Sequence, residues 1–167
     1  MTDPSLLELI RSSLWYDRES GEIRWARTLS NRARGGALAG TRTKSGYITI
    51  RIGRKDLRAH RVAWLLAYGA WVLCDIDHKD GNRSNNAIDN LRLATRSQNN
   101  ANSKRSKRNK SGIKGVHFDK RAGRWMASIA RGGKGKFLGY FDKKEDAAIA
   151  YRSAAVFIYG EFARVSE

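Results

Sequence analysis

The chain contains one cysteine, Cys74, in 167 residues. A single thiol excludes an intramolecular disulfide and a cysteine-rich zinc module, and it fits a reducing setting inside a cell. The apolar neighbours of Cys74 predict that it is buried as a small hydrophobe. No apolar run approaches the roughly 18 residues needed to span a bilayer. Met1 to Ile10 carries acids early and lacks a basic stretch followed by an apolar one, so it does not read as a signal peptide. Acidic groups are scarce, 16 against 33 lysines and arginines, and the formal charge is +17. Such an excess speaks of partners rather than fold, and nucleic acid is the abundant cellular polyanion. An anionic membrane is the rival partner, but neither a basic amphipathic helix nor a lipid anchor is legible.

The charge is uneven. Residues 103–167 hold 16 basic and 6 acidic groups, residues 1–56 hold 11 and 6, and residues 57–102 hold 6 and 4. A nearly balanced middle and a basic end imply chemistry in the middle and a grip on phosphates at the end.

Residues 5–13 predict a short helix capped by Ser5. Leu14-Trp15-Tyr16 and Glu22-Ile23-Arg24-Trp25 flank a turn at Asp17 to Gly21 and predict a hairpin. Residues 27–46 read as a long basic loop. Ile48, Ile50 and Ile52 alternate with Tyr47, Thr49 and Arg51, a strand with one apolar face. Ala59 to Tyr68 predicts a helix stopped by Gly69, Trp71 to Ile76 a strand, Asp80 to Asp89 a polar loop and Leu91 to Ala94 a short strand. Thr95 and Gln98 fit a capping box that starts a helix near Arg96, with Asn99 about one turn in. Residues 103–111 form a basic linker. Strands near Ile113–Phe118, Trp125–Ala130 and Lys136–Phe141 precede an alanine-rich helix from Lys144 to Tyr159.

Asp77-His78, Asn90 and Asn99 then stand at a strand end, before the return strand and on the next helix. Adjacent strand residues face opposite ways, so Asp77 and His78 serve one site only where the chain begins to turn. Hydrolysis of a phosphodiester needs a base poised near neutral pH, and imidazole suits it. The leaving 3′ oxygen needs a divalent cation, and a hard ion such as Mg²⁺ takes oxygen ligands. The Asp77 carboxylate and the Asn99 amide oxygen supply them. Asn90 ties the loop and orients His78.

Asp77-His78-Lys79-Asp80-Gly81-Asn82, Asn85-Asn86, Asp89-Asn90-Leu91-Arg92 and Asn99-Asn100 resemble the His-Asn-His nuclease family, closest to its phage homing branch. The resemblance covers about residues 57–102 and includes the lead-in Ala59-His60-Arg61-Val62-Ala63-Trp64. It implies that His78 is the general base, that Asp77 and Asn99 hold one metal ion and that Asn90 is structural. The last position is Asn99 rather than His, which weakens the expected metal affinity and leaves the reaction intact. His60 lies on an amphipathic helix and is expected to be packed.

The C-terminal segment offers Trp125, Ala127 and Ile129 on one strand face and small helical residues to pack on it. The free sheet face can enter a major groove. Ser111-Gly112-Ile113-Lys114-Gly115-Val116, Gly123-Arg124-Trp125, Phe137-Leu138-Gly139-Tyr140-Phe141 and Glu145 to Tyr151 resemble the plant ethylene-response-factor, APETALA-type, DNA-binding domain. That resemblance implies DNA contacts from Lys114, His117, Arg121, Arg124, Ser128, Phe137 and Tyr140. Several family arginines are replaced, notably by His117 and Ala130, so the plant site preference does not carry over. Lys104, Arg105, Lys107, Arg108 and Lys110 of the linker are expected along phosphates.

The expectation is an α+β chain: a β-rich lead-in (1–56), a ββα-metal nuclease module (57–102), the linker (103–111) and a three-stranded antiparallel sheet packed on one helix (112–167). The expected function is a site-specific, metal-dependent DNA endonuclease. Its partner is double-stranded DNA, its cofactor Mg²⁺ or Mn²⁺ with no structural zinc, and its state a monomer or homodimer away from membranes. The expected location is the cytoplasm of a bacterial or phage-infected cell, near the nucleoid. A catalytically inactive, sequence-specific DNA-binding regulator is the alternative, and a nonspecific coat protein a further one.

Overall fold

The computed structural model describes residues 3–165. The fold is mixed α+β, with four α-helices and antiparallel sheets among the described residues. It divides into two compact units, residues 1–93 and residues 94–167. None of the described helices is long and apolar enough to cross a membrane.

In the first unit, α1 (Pro4–Ser13) begins where the Asp3 carboxylate accepts the Ser5 N–H at 3.0 Å. The cap is therefore Asp3 and not Ser5, whose hydroxyl itself donates to Asp3. Leu6, Ile10 and Ser13 fall on the buried face. β1 (Leu14–Tyr16) pairs antiparallel with β2 (Ile23–Trp25), with Leu14 opposite Trp25 and Tyr16 opposite Ile23. The basic segment 27–46 is not wholly loop. It contains β3 (Thr41–Arg42), which joins β4 (Ile48–Ile52) and β5 (Lys55–Arg58) in the order β3-β4-β5.

α2 (Ala59–Tyr68) buries Ala59, His60, Val62, Ala63 and Leu65 and ends at Gly69, as the apolar spacing predicts. The strand expected over Trp71–Ile76 lies further on, as β6 (Asp75–His78). Residues 71–74 instead form a connection held by Arg61, which donates to the Val72 and Cys74 carbonyls at 2.7 and 2.9 Å. Outside a strand this stretch has no sheet face to bury. Cys74 is accordingly exposed, against the expectation of burial, and Leu73 is 84% exposed. β7 (Leu91–Ala94) follows a short 3-10 turn (Ile88–Asn90) and pairs with β6. The core joins Leu6, Ile10, Leu14, Trp25, Ile50, Ile52, Val62, Leu65, Ile76 and Leu91.

In the second unit, α3 (Arg96–Asn102) starts with the complete capping box of Thr95 and Gln98. β8 (Val116–Asp119), β9 (Arg124–Arg131) and β10 (Lys134–Phe141) form an antiparallel sheet ordered β10-β9-β8. The first strand begins later than Ile113 because Gly115 lies at φ +72, packed where a methyl would come within 2.1 Å of the Tyr151 ring. α4 (Lys144–Tyr159) lays Ala147, Tyr151 and Ala155 on Val116, Ala127 and Ile129. The small side chains let helix and sheet approach closely.

Candidate active site

β6 delivers Asp77 and His78 side by side, each only 4% exposed. The chain turns at once. The Lys79 N–H donates to the Asn90 carbonyl and the Gly81 N–H to that of His78, both at 2.8 Å. This turn follows directly on the two residues whose side chains are to share a site.

The His78 ring packs edge-on against His60, with centroids 5.1 Å apart, and lies 6.0 Å from Tyr47. Its Nε2 is 3.2 Å from Oδ1 of Asn86. The Asn86 amide nitrogen donates to the Ser84 carbonyl at 3.4 Å, which turns the amide oxygen to the ring. An amide oxygen only accepts, so Nε2 carries the proton and Nδ1 keeps the lone pair. Burial lowers the His78 pKa below 6.5, and the Arg83 charge acts the same way. The Asn86 bond and the Asp80 and Asp77 charges oppose this without cancelling it.

Asn86 is 1% exposed, and the β1–β2 hairpin props it. The Tyr16 hydroxyl donates to the Asn86 carbonyl at 2.8 Å, and the Ile88 N–H donates to the Arg18 carbonyl at 2.9 Å. Gly21, at φ +76, lies so close that a methyl there would sit 2.2 Å from the Ala87 nitrogen. Burial pushes the Tyr16 phenol up to about 12, so it stays a donor throughout the neutral range.

Asn90 ties the loop. Its Oδ1 accepts the Asp80 N–H at 3.1 Å, and its amide donates to Asp80 Oδ1 at 3.0 Å and to the Asn85 carbonyl at 2.8 Å. With oxygen and amide hydrogens so used, Asn90 is not the side chain bonded to His78. Asn86 has that place, a correction to the expected role of Asn90. Burial raises the Asp80 pKa, but bonds from Asn85, the Asn82 N–H and Asn90 outweigh it and hold the carboxyl below its ordinary value.

Asp77 is gripped by Arg92 from β7, whose Nε and a terminal nitrogen both lie 2.9 Å from Oδ2. The carboxylate is thus fixed in direction. Among the described residues no three His, Cys, Asp or Glu side chains gather as a cation cage. An oriented carboxylate is the kind of ligand that a hard cation keeping waters of its own, such as Mg²⁺, takes.

Residues 57–101 match the family profile described as HNH endonuclease. Protein 3.8 of Escherichia phage T7 is 40% identical over 89 residues, which are 53% of this chain and 73% of that protein. The chain belongs to the HNH endonuclease family. A second relative within this HNH group, endonuclease L560 of Acanthamoeba polyphaga mimivirus, is 34% identical over 123 residues. The match takes in 72% of this chain and 62% of the mimivirus protein. The HNH homing endonuclease I-HmuI, solved in a study of its DNA binding and cleavage, aligns at 21% identity with a TM-score of 0.41. That alignment covers 82% of this chain and 76% of I-HmuI.

The second unit of this HNH family member carries Asn99, half-buried on α3 with its N–H donating to the Thr95 carbonyl at 3.0 Å. Lys104, Lys107, Arg108 and Lys110 are exposed, while Arg105 folds back on the Asn109 carbonyl at 3.2 Å. On the sheet face away from α4, His117, Met126 and Tyr140 form one cross-strand row and Ser128 stands opposite Phe137. The Phe137 ring packs against Tyr140 with centroids 5.2 Å apart. Tyr140 donates to Asp119, Arg124 pairs with Asp142, and Arg121 and His117 are exposed. Lys114 departs from the expected DNA contact. Its ammonium donates to the carbonyls of Asn100, Ala101 and Ser103 at 3.0, 2.7 and 2.9 Å and so closes the end of α3.

Sequence reasoning missed Asn86, Tyr16 and Arg92. Arg92 had a signal, a lone cation two residues past Asn90 on a mostly apolar strand. Asn86 had none, because it is one of several loop asparagines.

Proposed function

We propose that this chain is a site-specific DNA endonuclease of the homing type. The observation that carries the reading is the buried His78 imidazole, held through Nε2 so that Nδ1 keeps its lone pair. In this reading His78 Nδ1 takes a proton from a water molecule as that oxygen attacks phosphorus. The bond to the 3′ oxygen breaks and that oxygen takes a proton from solvent water, leaving 5′-phosphate and 3′-hydroxyl ends. Asp77 and Asn99 hold one divalent cation, Mg²⁺ or Mn²⁺, with Arg92 fixing the angle of the Asp77 carboxylate. When bound, that ion offsets charge on the phosphate and on the leaving oxygen. Asn86 fixes the tautomer of the base, and Asn90 and Asp80 hold the loop that carries Asn86.

Residues 57–102 act as the cutting module and residues 112–167 as an APETALA-like reader, joined by the basic linker. His117, Arg121, Arg124, Ser128, Phe137 and Tyr140 face the groove. Lys104, Arg105, Lys107, Arg108 and Lys110 follow the phosphates, giving a log-affinity slope near −4.5 against log salt for about five neutralised charges. Incubating the chain with site-bearing DNA in Mg²⁺ and in EDTA, then mapping ends, tests the reading. Cuts with 5′-phosphates in Mg²⁺ alone are expected. Tight binding without cleavage in Mg²⁺ or Mn²⁺ would replace the enzyme by a DNA-binding regulator.

A further inference from the structure

The catalytic reading leaves idle a cluster on the first unit. The Tyr47 ring, just before β4, lies 5.4 Å from His60 and 6.0 Å from His78. The Arg58 guanidinium stands 4.9 Å from the centre of that ring and the Arg83 guanidinium 4.8 Å from it. Arg58 comes from the end of β5 and Arg83 from the loop after β6. Each is steadied by one more bond: Arg58 donates to Thr49 Oγ1 at 3.1 Å and Arg83 to the Ser45 carbonyl at 3.0 Å. Both are exposed, and neither joins an ion pair among the described residues.

Two cations gathered on one ring with no acid between them repel each other. Stacking on an aromatic face orients a guanidinium while using none of its donors, and each hydrogen bond takes only one of five. What remains is a pair of fixed forks, the geometry that grips phosphate oxygens two at a time. We infer that Arg58 and Arg83, on the shared Tyr47 platform, form a clamp for backbone phosphates of duplex DNA beside the scissile bond. Its placement beside the cut rests on the nuclease reading, whereas its grip on phosphate does not need cleavage.

The test uses the full chain with a 30-base-pair duplex in EDTA. Arginine-selective phenylglyoxal labelling, read by mass spectrometry, reports each guanidinium in the unaltered chain. DNA should protect Arg58 and Arg83 at least severalfold, and Arg58→Gln with Arg83→Gln should flatten the salt slope by about 1.8, at about 0.9 per phosphate. Equal labelling with and without DNA overturns the clamp, as does an unchanged slope in the folded double variant. If the double variant does not fold, protection of the unaltered chain decides. A chain that protects both arginines but never cuts in Mg²⁺ removes the nuclease reading and keeps the phosphate site. A chain that cuts with both arginines unprotected removes the clamp alone.

Discussion

His78 and Asn86 are joined by a 3.2 Å contact between Nε2 and Oδ1, and the backbone carbonyl of Asn86 accepts a hydrogen bond from the Tyr16 hydroxyl, 70 residues away. The tautomer of the base is therefore set by a side chain whose position depends on the N-terminal hairpin. Asn86→Ala frees the imidazole to turn. It should lower the cleavage rate by about 10–100-fold, the range seen when partners behind a catalytic ligand are removed. Asn90→Ala removes three loop bonds and should act mainly on stability, by about 1–3 kcal/mol. Single-turnover rates beside thermal midpoints separate the two effects.

Gly21 makes the hairpin's hold on that loop testable. Gly21→Ala pushes a methyl to 2.2 Å from the Ala87 nitrogen, at φ +76. The clash is with backbone, which cannot swing aside, so the loss should reach about 3 kcal/mol or more. Gly36→Ala has a similar φ, +79, with nothing within 4 Å, and should cost only the left-handed strain of about 1 kcal/mol. Urea denaturation of both variants is the measurement, and equal losses would remove the role given to close packing.

The Asp77–Arg92 pair is almost sealed from solvent, with side-chain exposures of 5% and 11%. Arg92→Met leaves a buried carboxylate without that partner and should cost about 3–5 kcal/mol. Adding Asp77→Asn should recover much of the loss. A double-mutant cycle in urea checks this, and additive losses would mean that the pair contributes little.

Some of this architecture can be read before any coordinates. The apolar spacing of Val62, Ala63 and Leu65 with Gly69 beyond them marks α2, and Thr95 with Gln98 marks the start of α3, because both signals are local. The face of β9 that packs on α4 is legible for the same reason, in the alternation of Ala127 and Ile129. Asn86 is not legible. It looks like Asn82, Asn85 and Asn90 in one polar loop, and only the hairpin carrying Tyr16 and Gly21 decides which asparagine is buried. Cys74 and Lys114 fail similarly. One follows from where β6 begins, the other from carbonyls at the end of α3.

His60 supplies a pH signature. Burial, with the nearby His78, Arg61 and Arg58 charges adding to it, lowers its pKa to about 3 in the folded chain from 6.5. Between those values the unfolded chain binds the extra proton, so stability is complete above about pH 6.5 and falls as pH drops. The slope is about 1.4 kcal/mol per pH unit for this one group. Denaturation at pH 7.5 and 5 should therefore give a smaller difference for His60→Gln than for the unaltered chain. An equal difference would mean that His60 is not buried in its neutral form.

The most direct measurement compares His78→Ala with the unaltered chain on the same site-bearing duplex, following Mg²⁺-dependent cleavage and metal-free binding together. Cleavage should fall by about 10²–10⁴-fold while the dissociation constant holds. Cutting by His78→Ala at the parental rate would contradict the assignment of His78 as the base.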